Sequence, residues 1–92
     1  MTDNQDATCQ LALTDAIKVG SDLDEFVVAF DRIFSRIAFG EGGPDLLVTY
    51  MMERAVRERI AAARSVVFAA VERVIGEDAV ERIAEEKYRH FE

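Results

Sequence analysis

Residues 45–75 read DLLVTYMMERAVRERIAAARSVVFAAVERVI, thirty-one positions with neither glycine nor proline. Met52, Val56, Ile60, Ala63, Val67, Ala70 and Val74 follow one another at spacings of 4, 4, 3, 4, 3 and 4. That rhythm is the apolar stripe of an amphipathic helix. At 1.5 Å per residue, one uninterrupted helix over about 45–75 would be a rod of about 45 Å. The second half is apolar around much of its girth, since Val66, Phe68, Ala69 and Val71 lie outside the stripe.

On the N-terminal side, Gly40-Glu41-Gly42-Gly43-Pro44 ends whatever precedes it and suits a tight connection, with Pro44 fitted to the first turn of the next helix. Before it, Leu23, Phe26, Phe30, Ile33 and Ile37 repeat at 3, 4, 3 and 4, widened by Val27, Phe34 and Ala38. This predicts a helix over about 22–39, with Ser21 as N-cap and Asp22, Asp24 and Glu25 at the positive end of its dipole. A shorter helix is expected over 10–19, stopped by Gly20. Continuation through that glycine would cost about 1 kcal/mol. On the C-terminal side, Gly76 and Asp78 mark a break and restart. The last helix, about 79–91, carries Val80, Ile83, Ala84, Lys87 and Phe91 on one face, and Arg82–Glu86 and Glu85–Arg89 as i,i+4 pairs. No stretch alternates as a strand would. The expected class is all-α: an antiparallel helical hairpin or small bundle with one long central helix and short flanking helices. A flexible tail over 1–9 would precede a single helical domain over 10–92.

A chain of 92 residues folds with a radius of gyration of about 12 Å, and a 45 Å rod overhangs it. Either the rod kinks or a second subunit covers it. The apolar girth favours the second outcome, because a helix apolar on two faces needs two partners. A homodimer, or a comparable obligate hetero-complex, is therefore expected. Its candidate interface is Val66, Phe68, Ala69 and Val71, with Arg57 and Arg64 as anchors, arginine being enriched at interface hot spots.

Composition narrows function mainly by exclusion. Half the residues are hydrophobic and 32% charged, which suits a packed domain, and the net charge of −7 disfavours binding to nucleic acid or anionic lipid. The charge is uneven: residues 1–45 carry nine acidic and three basic side chains, whereas 46–75 carry Arg54, Arg57, Arg59, Arg64 and Arg73 against Glu53, Glu58 and Glu72. Glu53–Arg57 and Arg54–Glu58 pairs would lace a continuous helix, or Arg57 and Arg64 would meet carboxylates of the acidic helix alongside. The single cysteine, Cys9, allows no internal disulfide and fits a reducing cytoplasm. The longest apolar run, Val66 to Val71, is far short of a membrane span.

Glu86 and His90 form an ExxxH pair with too few ligands for a metal, and the glycine-rich 40–44 segment lacks the lysine and hydroxyl of a phosphate loop. No catalytic residue, cofactor or metal site is assigned. The expectation is a small acidic protein–protein interaction module, a dimeric adaptor, chaperone or inhibitor whose partners are itself and another protein. The alternative is an acidic mimic of nucleic acid built on Asp15, Asp22, Asp24, Glu25 and Asp31 together with Glu77, Asp78, Glu81 and Glu85. A small metal-dependent enzyme is the remote third reading.

Overall fold

Gly20 does not stop the first helix. In the computed structural model, which describes residues 7–88, α1 runs unbroken from Leu13 to Ala38. The expected pair of helices, 10–19 and 22–39, is thus one helix. The cost of a mid-helix glycine is offset by docking of α1 along the later chain on both sides of Gly20: Val19 shares one small hollow with Ala62, Ala63 and Val66, and Asp22 bonds Arg59. The far end closes as expected of a glycine-rich stop. Gly40 adopts φ +75°, its N–H donates to the Ile37 carbonyl at 3.1 Å, and the Glu41 N–H reaches back to the Arg36 carbonyl at 2.8 Å. These two bonds satisfy carbonyls that the helix end would otherwise leave unpaired.

The long central helix is divided. Residues 45–75 form α2, Asp45–Glu53, and α3, Val56–Ile75, separated by Arg54 and Ala55. Ala55 holds φ 49° and ψ 44°, a left-handed conformation that costs an alanine about 1–2 kcal/mol. Helix propensity alone would never place a break there. What compensates is tertiary. The elbow carries Val56 to complete burial and brings two arginines onto one carboxylate of α1. For the same reason the expected Glu53–Arg57 and Arg54–Glu58 pairs do not form: each spans the elbow, where the i,i+4 relation is lost.

Gly76, at φ +89°, separates α3 from α4, Glu77–Tyr88. The break falls where the sequence placed it, although α4 starts two residues earlier than expected. Arg82 and Glu86, one turn apart on α4, do not close into an ion pair, which costs little on an exposed face.

The hairpin is antiparallel along its whole length. Leu46 lies by Ile33, Tyr50 by Phe30 and Arg54 by Glu25, so α2 runs back along α1. The pairing then continues down α3, with Arg59 at Asp22 and Arg73 donating to the Gln10 carbonyl at 3.2 Å. The third layer is α4, folded back on α3. Helix makes up 82% of the structure and no strand occurs among the described residues, so the class is all-α. No described helix is long and apolar enough to cross a membrane. The tail over 1–9 falls largely outside the described residues, as do Arg89, His90 and Phe91.

Candidate interaction surface

The polar centre of the molecule is Glu25. Arg54 grips it bidentately, Nε to Oε2 at 3.1 Å and Nη2 to Oε1 at 3.0 Å. Arg59 does the same from the other side of the elbow, with Nη1 at 3.1 Å and Nη2 at 2.9 Å. The Tyr50 hydroxyl donates a fifth bond at 2.8 Å. Arg59 also reaches Asp22 Oδ1 at 2.6 Å and donates to the Arg54 carbonyl at 3.2 Å. Its guanidinium carbon lies 4.8 Å from the centroid of the Phe26 ring, so one side chain is held by two carboxylates, a carbonyl and a π face. The Arg59 side chain is only 22% exposed, against 55% for Arg54. This latch fastens the elbow to α1.

The sequence offers pairing of Arg57 and Arg64 with carboxylates of the acidic helix as one alternative, beside i,i+4 pairs along the helix and an anchoring role. The structure assigns carboxylate pairing to Arg54 and Arg59, while Arg57 and Arg64 make no ion pair among the described residues. On a continuous helix, residues 54 and 59 would point about 140° apart, too far to share a carboxylate. Only the left-handed residue between them brings both to Glu25.

The latch shifts its own titration. Hydrogen bonds from Arg59, then Arg54 and Tyr50, hold the Glu25 carboxyl well below the usual carboxylate range. The Arg59 hydrogen bond likewise lowers Asp22, against the opposing effect of burial. Burial, followed by the bond to Glu25, raises the Tyr50 hydroxyl. Because folding lowers both carboxyl pKa values, their stabilisation is fully present above the unfolded values and is lost as pH falls through the folded ones. Thermal melts should therefore show a melting temperature that declines progressively below about pH 4.5. Glu25→Gln should melt lower than wild type at pH 7 and have a shallower acid limb. Acid limbs of equal slope in the two proteins would show that Glu25 carries no pH-dependent stability.

Around this centre, apolar burial is sparse. Phe26, Val56 and Ala70 are the buried hydrophobic residues among those described, with Phe30 stacked on Phe26 and edge-on to Tyr50. The stripe read along 45–75 is only partly core: Val56 and Ala70 are buried, whereas Met52, Ile60 and Val74 are exposed. On α1, Leu23, Val27 and Phe34 stand in solvent beside the buried Phe26.

Part of this exposed apolar surface, Leu23 and Ile60, lines a trough that continues onto α4. Its floor is α3. Between α3 and α4 lies a groove of about 440 Å³ lined by Phe68, Val80, Ile83, Ala84 and Tyr88, together with Arg64 and Lys87. Between α1 and α3 a second hollow of about 270 Å³ is lined by Leu23, Phe26, Ile60 and Val67, and again by Arg64 and Phe68. Because Arg64 and Phe68 line both, the two hollows adjoin across these side chains as two compartments of a trough. Of the candidate interface residues, Phe68 and Arg64 therefore sit in the trough. Val66 faces α1, near Asp15 and Val19. Val71 is half-buried, and Ala69 and Arg57 are exposed. Sequence reasoning did not identify the α4 wall or the outer edge of α1 as parts of the same surface. The signal was present in the apolar face Val80–Ile83–Ala84, which a cation, Lys87, extends by one turn.

Among the described residues no three histidine, cysteine, aspartate or glutamate side chains converge as metal ligands would. Cys9 is exposed. The family models searched give no match to the chain, and neither the curated proteins nor the solved structures compared with it match.

Proposed function

We propose that the chain is a small helical protein–protein interaction module that works as a dimer, an adaptor, chaperone or inhibitor of another protein. The observation that carries this reading is the uncovered trough across α1, α3 and α4. A radius of gyration of 16.9 Å, against about 12 Å for a packed chain of this length, supports it further. Apolar surface on this scale in a small domain marks a contact site. The net charge of −7 supports a protein rather than a nucleic acid as that contact. A cytoplasmic setting belongs to the same reading, from the lone exposed cysteine. The reading as an acidic mimic has less behind it, because Asp22 and Glu25, two of its α1 carboxylates, are neutralised by Arg59 and Arg54.

Light scattering on wild type and Phe68→Asp tests the proposal. Wild type should be dimeric at ~100 µM and dissociate on dilution toward ~1 µM. Phe68→Asp should keep its helical circular dichroism and shift to monomer, since it places a carboxylate in the trough. A wild type that is monomeric at ~100 µM would overturn the dimer.

A further inference from the structure

We infer that the occupant of the trough is α1 of a second copy, so that two chains close on each other about a two-fold axis. This rests on the self-association reading above and specifies its geometry. The first ground is charge. The exposed apolar edge of α1, Leu23, Val27 and Phe34, is flanked by Asp24 and Asp31, seven residues and two turns apart on the side away from the core. Neither aspartate pairs within the chain among the described residues. The α3–α4 groove has the opposite charge in its lining, Arg64 and Lys87, neither of which makes an ion pair among the described residues. An apolar ridge with an acidic edge and an apolar groove with cations in its lining are complementary, and this one chain carries both.

The second ground is placement. Leu23 on α1 and Phe68 on α3 line one hollow, so the N-terminal end of the ridge adjoins the groove. A two-fold operation can then seat each ridge in the other chain's groove, a closed contact that leaves neither surface free to propagate a fibre. The competing way to bury the ridge is against itself. Antiparallel pairing of α1 with α1, centred near Val27, would set Asp24 of each chain opposite Asp31 of the other and place like charges across the seam. The basic-lined groove avoids that repulsion.

Cross-linking distinguishes the two. In a Cys9→Ser background, Val27→Cys and Ile83→Cys chains are mixed in equal amounts, treated with a short bismaleimide, and mapped by peptide mass spectrometry. Both substitutions are on exposed side chains, and circular dichroism checks that each chain remains helical. The expected product is the mixed 27–83 dimer, in excess of 27–27 and 83–83. A second arm reverses charge. Asp24→Lys with Asp31→Lys should weaken association about tenfold, and adding Arg64→Glu with Lys87→Glu to the same chain should restore most of it. A dimer that yields mainly the 27–27 product, or that shows no rescue, overturns this geometry and leaves the dimer standing. A chain that stays monomeric, or that associates only with an added basic amphipathic peptide, overturns both.

Discussion

Val56→Asp is expected to abolish cooperative folding, with loss of the thermal transition and of most helical ellipticity at 25 °C. Val56 is fully excluded from solvent and opens α3 immediately after the left-handed Ala55. The conformation of Ala55 is tolerated only because the elbow encloses this side chain and sets the latch. A carboxylate at position 56 would have to be buried without a partner or force the elbow open, and either removes what compensates the strain. Circular dichroism and thermal melting check this directly. Val56→Ala serves as the control: it should cost about 1–3 kcal/mol and leave the transition cooperative. A Val56→Asp protein that melted like wild type would show that the elbow does not depend on burying this residue.

Phe26→Ala should be the most damaging truncation in α1, lowering stability by about 3–5 kcal/mol. Phe26 is 4% exposed, stacks on Phe30 with ring centroids 6.4 Å apart, and lies under the Arg59 guanidinium. Its loss leaves a cavity and also takes away the surface that holds Arg59 in place between Asp22 and Glu25. The effects of Phe26→Ala and Arg59→Ala should therefore be non-additive in a double-mutant cycle monitored by urea denaturation. By the same geometry Arg59→Ala should destabilise more than Arg54→Ala, because Arg59 bridges both carboxylates and is the less exposed of the two. Strict additivity of the Phe26 and Arg59 substitutions would separate the ring from the latch.

Helix content, the all-α class and the two glycine-marked breaks at 40–44 and 76 were legible in the residues alone. They depend on local periodicity and on conformations that only glycine adopts cheaply, such as the positive φ at Gly40 and Gly76. The antiparallel hairpin was legible as well, from the short Gly40–Pro44 connection. Val66, Phe68, Ala69, Val71, Arg57 and Arg64 stood out alike, because apolar girth and unbalanced charge are properties of a helix by itself, and those properties do not say which of the six line a groove. Two features were not readable this way. Gly20 looks like a stop, yet the helix runs through it; Ala55 looks like helix interior, yet the chain turns there.

Both departures have one cause. Local propensity differs by only about 1–2 kcal/mol between the conformations at stake, and burying one apolar side chain or satisfying one carboxylate yields as much. The sequence by itself therefore determined which stretches are helical, that glycine ends helices at 40 and 76, and how charge divides between the acidic first helix and the arginine-rich segment. Tertiary structure decided where the central segment bends, because a bend at Ala55 is compensated only by Val56 being buried and by Arg54 and Arg59 meeting Glu25 across a separation of about thirty residues. It also decided which arginines are latched and which remain free in the lining of the trough, since a left-handed residue rotates every side chain after it relative to those before.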